Sequence, residues 1–379
     1  MDPFMKRRVP TGLLALLLLI GCTFPAAASA RAVLVFGGDT SFGESYAKSP
    51  EQKDLPEDVR YRTSLDALLP LLRDARQVLV NLETPLARPG ETVVEGKAYV
   101  HWADPGKTVR ALKASGITAV SLANNHTMDL GTEGLEETLG VLDRAGLART
   151  GAGLDLSEAE RPLAWEIPLG KRTARVAVFS GFEYRKNYDE KFEFYAAPAV
   201  PGVNPLDPER FKIAVHSLKS RIPGVFVIAF PHWGKNYAWK TAEQVRLAHA
   251  LVDAGADLVL GHGAHQVQEM EAYRGRWIVY GLGNFLFHSP GRYGSRKAPP
   301  YSFVARLELA EKGETPQKTL RLYPIQCDNT VTGFRTRPVN PREFTELRTL
   351  LIQRIDGKSA SGISAKKDAL GFHLEIALP

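Results

Sequence analysis

Cysteine is almost missing from this 379-residue chain, which holds only Cys22 and Cys327. It has no CxxC redox pair and too few thiols for a zinc knuckle. Processing of an N-terminal leader, at Cys22 or after Ala30, would leave Cys327 without an intrachain partner, so no disulfide framework is expected. There is no GxSxG, which removes the serine-hydrolase elbow, and no GxxxxGK[ST], which removes a P-loop. No basic run interleaved with aromatics stands out, so nucleic acid is not an expected partner despite a formal net charge of +6. Long apolar runs are lacking too: the stretch 13–20 is too short for a membrane-spanning helix. What remains is an ordinary globular composition, 44% hydrophobic and 24% charged, able to bury a full core.

Residues 1–30 read as an export signal: Lys6-Arg7-Arg8, the apolar stretch, then small residues. Two processing readings stand. Leu19-Ile20-Gly21-Cys22 resembles a bacterial lipobox, which would lipidate Cys22 and anchor the chain to a membrane. Ala28-Ser29-Ala30 fits ordinary A-x-A cleavage and release. Either reading predicts an exported protein, periplasmic or on the outer surface.

After the leader, strand-like and helix-like segments alternate, the signature of an α/β fold. Helices are predicted over 105–115, behind the Asp104-Pro105 cap, and over 132–145, with Leu135, Leu139 and Leu142 on one face. Two more are predicted over 206–218 and 241–254. The Gly- and Pro-rich stretch 198–208 reads as a loop. From residue 301 the rhythm changes to two strands joined through Lys312-Gly313-Glu314, an expected antiparallel hairpin, then a helix over 344–355. Residues 357–365, rich in Ser, Gly and Lys, read as a mobile loop. The expected division is a catalytic domain over 31–300 with a C-terminal β/α extension over 301–379.

Five apolar runs end in residues able to bind a metal. Residues 31–36 lead to Gly37-Gly38-Asp39, 77–80 to Asn81-Leu82-Glu83, and 117–122 to Asn124-Asn125-His126. Residues 225–230 lead to Pro231-His232-Trp233-Gly234, and 256–260 to Gly261-His262-Gly263-Ala264-His265. In open α/β sheets ligands gather beyond the carboxyl ends of parallel strands. Each residue has a bland alternative: Asp39 as a turn Asp, Glu83 as a solvated loop residue, Asp129 as a helix cap, His232 as a satisfied core histidine. Their shared position at strand ends outweighs those readings. Asp39, Glu83, Asn125 and His232 are candidate metal ligands, and the spacing of His262 and His265 suits either two ligands or one ligand and one substrate contact. Two glycines before Asp39 are expected to turn the backbone sharply, and Glu83 is expected to sit centrally between two ions if the site is binuclear. His126 is the expected general acid or charge stabiliser, oriented by Asp129. Lys97, Trp233 and Asn284 are candidate substrate contacts, although a solvated lysine is the plainer reading of Lys97. His101, His216, His249, His288 and His373 lack the strand-end setting and most read as surface or core residues, while the region His101-Trp102 together with Lys97 could contact an anionic chain.

These segments resemble the CapA family, the poly-γ-glutamate capsule-synthesis proteins. The matching pieces are Phe36-Gly37-Gly38-Asp39, Val80-Asn81-Leu82-Glu83-Thr84-Pro85, Leu122-Ala123-Asn124-Asn125-His126-Thr127-Met128-Asp129 and Pro231-His232-Trp233-Gly234. Gly261-His262-Gly263-Ala264-His265 and Tyr280-Gly281-Leu282-Gly283-Asn284-Phe285 complete the set. The resemblance implies a metallophosphoesterase-like sandwich of two mixed β-sheets flanked by helices, with a metal centre at the strand ends. It also implies that Asp39, Glu83, Asn125, His232, His262 and His265 are all ligands, with His126 assisting the leaving group. The chain departs from metallophosphoesterases at Ser41, where an Asp-x-His motif would put histidine, and in the wider spacing of His262 and His265. It also has Asn236 where many family members carry a glutamate.

Oxygen and imidazole donors without thiolate admit manganese, zinc, iron or magnesium, as one or two ions. The expected function is synthesis, release or attachment of an anionic extracellular polymer. Partners would be that polymer or a small anionic substrate, and membrane synthase subunits. A periplasmic metal-dependent phosphoesterase or other hydrolase is one alternative. A non-catalytic polymer- or synthase-binding subunit is another.

Overall fold

The computed structural model describes residues 29–43, 53–90, 93–289, 291–313 and 315–379. Cys22 and most of the stretch read as an export signal lie outside these residues.

Two mixed sheets face each other. Along the main path of the ten-stranded first sheet the order is Ile363–Asp368, Gly371–Leu378, Gln317–Gln326, Tyr301–Ala310, Arg31–Ser41, Gln77–Leu82, Ala119–Ser121 and Ala148–Thr150. Pairings are antiparallel as far as Arg31–Ser41 and parallel beyond it. Asn284–Phe287 joins the far end of Arg31–Ser41 in parallel, with Asn284 opposite Asp39. The six-stranded second sheet runs Met270–Tyr273, Arg276–Val279, Leu258–Leu260, Phe226–His232, Arg172–Phe182 and Leu163–Leu169, parallel in its three inner pairings.

The period-two direction of strand side chains builds three layers. Leu34 and Phe36 of the first sheet meet Ile228, Phe230, Leu258 and Leu260 of the second between the sheets. Val35, Val78 and Val80 point the other way, against Leu112, Leu135, Leu139 and Leu142 of the helices Pro105–Ala114 and Gly131–Ala145. Val227, Ala229 and Val259 pack on Val215, Leu218, Leu247 and Leu251 of Pro208–Arg221 and Ala242–Asp253. Each fully buried aliphatic or aromatic side chain contributes about 1.5–3 kcal/mol, so this layering fixes the register of the strand ends. The helices start where the sequence signals them. Asp104 accepts the Lys107 N–H at 2.9 Å, and Thr241 and Gln244 form a reciprocal capping box.

Three readings need correction. Residues 357–365 are not an irregular loop: Gly357–Ser361 is helical, capped by Asp356, and Ile363–Asp368 is a strand. The stretch 198–208 contains the short strand Gly202–Val203, paired with Ala152–Gly153. Leu163–Leu169 and Arg172–Phe182 form an antiparallel pair that the strand-end reading passes over, although the buried and exposed residues of Leu163–Leu169 alternate strictly. The hairpin after residue 301 is present as expected. Its first strand lies directly beside Arg31–Ser41, so the 301–379 segment builds the first sheet from within.

Candidate metal centre

The strand Arg31–Ser41 does not turn at its glycines. It continues past them, with a register shift between Gly37 and Asp39 that re-aims the carboxylate. Gly38 is needed for close approach: a Cβ there would lie 1.9 Å from the Gly283 carbonyl oxygen. That same carbonyl accepts the Asp39 N–H at 2.9 Å. Across the sheet Asp39 stands opposite Asn81, and His232 bridges to His262 at the matching edge of the second sheet. Both sheets therefore present their strand ends to one volume.

Asp39 divides its two oxygens. Oδ1 lies 3.3 Å from His262 Nδ1 and 3.7 Å from His232 Nδ1, and those two nitrogens are 3.1 Å apart. Oδ2 lies 3.3 Å from His265 Nδ1 and accepts the Gly263 N–H at 3.1 Å. Asn81 Nδ2 donates to Asp39 Oδ1 at 2.9 Å, and Asn124 Nδ2 donates to Asn81 Oδ1 at 3.0 Å. Asn125 Oδ1 is 2.7 Å from His232 Nε2. Glu83 Oε1 faces the Nε2 atoms of His126, His232 and His265 at 3.9, 4.0 and 3.9 Å. The carboxylate shared between the two ligand groups is thus Asp39, with one oxygen in each. Glu83 clusters with Asp39 and His265, and reaches the other group only through His232.

A second acid–imidazole group adjoins the first. Asp129 Oδ2 lies 2.6 Å from His126 Nδ1, close enough that Nδ1 carries the proton and donates it, leaving the Nε2 lone pair free. The His101 N–H donates to the same oxygen at 2.6 Å, and the His101 ring stacks on His126 at 3.5 Å. Lys97 Nζ sits 2.5 Å from Asp129 Oδ1, with only 5% of its side chain exposed. The same Nζ is 3.1 Å from His126 Nδ1, so the group of His101, His126 and Asp129 already has a cationic side chain beside it.

The electrostatics follow from burial. Burial would raise Asp39, but its contacts with His262, His265 and His232 outweigh it and hold the group well below the usual aspartate range. Burial, then the adjacent Asp39 charge, pushes Glu83 well above the glutamate range, only partly opposed by Lys97. Burial raises Asp129 to about 6 against the pull of Lys97. Burial also depresses His101, His126 and His232 well below the ordinary histidine range, and depresses Lys97. The depressed imidazoles are neutral at physiological pH, the form in which imidazole ligates a metal.

Glu83 tests whether these residues fit a cation. It is fully buried, and neither carboxylate oxygen has a hydrogen-bond partner. A buried carboxylate without donors, beside a second carboxylate, needs either a proton or an external cation. The surrounding donors are carboxylate, amide oxygen and imidazole, with no thiolate, and are compatible with a divalent metal.

The structure brings Asp39, Glu83, Asn125, His126, His232, His262 and His265 together. It gives the other candidates different surroundings. Trp233 is wholly buried, donates its indole N–H to the Tyr280 carbonyl at 2.8 Å and packs beneath the outer helices, so it is a core residue and not a substrate contact. Asn284 spends its amide on His265 and Tyr293. Lys97 is not solvated, because Asp129 holds it inside. His101 is buried in the site wall, stacked on His126 and bonded to Asp129 through its backbone N–H. Asn81 and Asn124 also belong to the site without standing among the expected ligands. Asn81 lies two residues before Glu83 at a strand end, the signal that would find it.

An α/β sandwich whose two sheets deliver a buried carboxylate–imidazole cluster to one edge, compatible with a divalent cation, is the class these features define. Residues 33–289 match the family described as bacterial capsule synthesis protein PGA_cap, and the chain belongs to that family. Its relatives include the PGA biosynthesis protein CapA of Bacillus subtilis, 31% identical over 66% of this chain and 62% of that one. The "Probable polyglutamine synthesis accessory protein" of Mycobacterium tuberculosis is 36% identical over 83% of this chain and 82% of its own length. The matched region thus spans less than two thirds of the Bacillus subtilis relative. Among solved structures, a novel phosphatase from Mycoplasma pneumoniae aligns with a TM-score of 0.38 and 12% identity, over 83% of this chain and 96% of that one. So low a score carries no inference about function.

Proposed function

We propose that this chain is an exported, metal-dependent accessory protein in the synthesis, release or attachment of an anionic extracellular polymer of the polyglutamate type. Its site would act as a hydrolase or transferase at an amide, ester or phosphorus centre. The observation that carries this reading is Glu83, a fully buried carboxylate with both oxygens unpartnered amid three imidazole nitrogens. Membership in a capsule-synthesis family, with relatives named for PGA biosynthesis and polyglutamine synthesis, supports the polymer class.

Asp39, Glu83, Asn125, His232, His262 and His265 would hold the cation. A bound divalent cation supplies Lewis-acid polarisation of a carbonyl or phosphoryl oxygen. The chain's own chemistry rests on His126. With its Nδ1 proton held by Asp129, Nε2 can take or deliver a proton at the edge of the cluster. His101 stacks on that imidazole and limits its rotation. Nucleic acid has no part in this reading. Membrane synthase subunits are the proposed partners, and lipidation of Cys22 the proposed anchor.

Metal analysis of the purified protein tests the site. Wild type should carry stoichiometric divalent metal, and Asp39→Ala and His232→Ala should lose most of it; equal metal content in all three contradicts the ligand assignment. Turnover of generic phosphoesters that chelation abolishes, with none on a polyglutamate chain, would replace the polymer reading with a phosphoesterase. Cys22→Ser should move the protein from the membrane fraction to the soluble one.

A further inference from the structure

A hydrogen-bond chain runs from His265 away from the cluster into the protein interior. His265 Nδ1 lies 2.9 Å from Asn284 Oδ1, and Asn284 Nδ2 donates to Tyr293 Oη at 2.8 Å. Tyr293 Oη in turn donates to the His265 carbonyl at 2.8 Å and lies 3.1 Å from Cys327 Sγ, which is also 3.1 Å from Ser302 Oγ. His265, Asn284, Tyr293, Ser302 and Cys327 are all buried. His265 has φ +59°, the left-handed region that side-chain-bearing residues seldom occupy, so its backbone is held there by its surroundings.

The proton count along this chain has one solution. Tyr293 has a single hydroxyl proton, and the His265 carbonyl can only accept. The hydroxyl therefore donates to that carbonyl and must accept from Asn284, so the amide turns its NH₂ toward Tyr293 and its oxygen toward His265. An oxygen facing Nδ1 requires Nδ1 to carry the ring proton. Asp39 Oδ2, 3.3 Å from the same nitrogen, is a second acceptor and demands the same tautomer. The lone pair is then on Nε2, the atom that looks toward Glu83 at 3.9 Å.

We infer that Asn284 and Tyr293 are positioning residues that lock His265 as its Nδ1–H tautomer and aim Nε2 into the Asp39–Glu83–His265 group. The inference deepens the metal reading of the site and takes Asn284 out of the substrate-contact role the sequence suggests. Outer partners that fix a ligating histidine typically govern metal affinity by roughly 10- to 100-fold.

Two measurements test it. The first is the ¹⁵N ring signature of His265 in the metal-free protein, assigned against His265→Gln. Wild type should show Nδ1–H; an Nε2–H signature overturns the inference whether or not the protein binds metal. The second is Mn²⁺ binding followed by electron paramagnetic resonance in wild type, Asn284→Leu, Asn284→Asp and Tyr293→Phe. Asn284→Leu should weaken Mn²⁺ roughly 10- to 100-fold. Asn284→Asp, which keeps an acceptor opposite Nδ1, should restore most of the affinity, and Tyr293→Phe should fall between them. Wild-type affinity in Asn284→Leu, in a protein whose circular dichroism is unchanged, overturns the positioning role. If Asn284→Leu fails to fold, Tyr293→Phe decides alone: an unaltered tautomer ratio and unaltered Mn²⁺ affinity count against the inference. A wild type that binds no metal at all sinks the metal reading instead, and the tautomer measurement still judges this one.

Discussion

Two buried acid–imidazole groups stand side by side in this protein, and they differ in one respect. Around Asp129 the chain supplies its own cation: Lys97 sits 2.5 Å from one oxygen, while His126 and the His101 N–H hold the other. Around Glu83 the same lysine offsets the charge only partly and makes no hydrogen bond, and both oxygens are left without a hydrogen-bond partner. The same ingredients, carboxylate and imidazole in an interior of low dielectric, thus make a closed structural network in one place and an incomplete site in the other. What the second group lacks is a positive charge bonded to it. That difference, more than the mere presence of histidines, is the physical case for a cation at Asp39 and Glu83.

The comparison can be broken most severely from the Asp129 side. Lys97→Met strands a buried carboxylate, so it should destabilise the fold by about 3–5 kcal/mol, with or without divalent metal in the buffer. Chemical denaturation measures this, and a loss under about 1 kcal/mol would mean the two groups are not distinct in kind.

The next effect is on pH dependence. His101, His126 and His232 have folded-state values well below 6.5, and burial lowers His288 to about 4. Below about pH 6.5 the unfolded chain takes up protons that the folded one refuses, so these groups stabilise the fold above that pH and lose the contribution as pH falls. Each such proton is worth about 1.4 kcal/mol per pH unit. Asp129, at about 6, and Glu83 have the opposite sign: both are raised, so each favours the fold below its unfolded value and loses that contribution as pH rises through its folded value. Four histidines against two acids leave the metal-free protein less stable at pH 5 than at pH 7. A denaturation midpoint that rises on acidification would contradict this.

The smallest effect sharpens the contrast. Glu83→Gln replaces a buried carboxyl group without hydrogen-bond partners, which burial and Asp39 favour in its neutral form, by a neutral amide of the same shape. The metal-free variant should therefore stay within about 1 kcal/mol of wild-type stability. It should also lose the stabilisation that saturating Mn²⁺ gives wild type, about 2.7 kcal/mol at a hundredfold excess over Kd. Thermal melts with and without Mn²⁺ read both halves. A Glu83→Gln variant that still gains stability from Mn²⁺ would remove Glu83 from the site.

Much of this site is legible in the sequence because strand ends are a position as well as a composition. An apolar run that stops at Asp39, Asn125 or His232 places that side chain at the edge of an α/β sheet by pattern alone. What the run does not convey is direction around the edge. Trp233 follows His232 immediately, yet alternation along the strand sends it into the opposite layer, under the helices. The glycines before Asp39 resemble turn formers, whereas their use is close backbone packing against Gly283. His101 and Lys97 lie in an irregular stretch with no periodicity, and only the tertiary fold brings them to Asp129. The pair Leu163–Leu169 and Arg172–Phe182 escapes the strand-end reading for a different reason: its alternation is strict, but no metal-binding residue marks it. The C-terminal hairpin is plain, although its place beside Arg31–Ser41 depends on a pairing between residues far apart in the chain.

Anomalous diffraction from crystals grown with Mn²⁺ addresses the central claim most directly. The account predicts a peak bounded by Asp39, Glu83, His232, His262 and His265, with no peak among His101, His126 and Asp129, beside which Lys97 already sits. Density that is featureless at the first location, or that appears at the second, would contradict it.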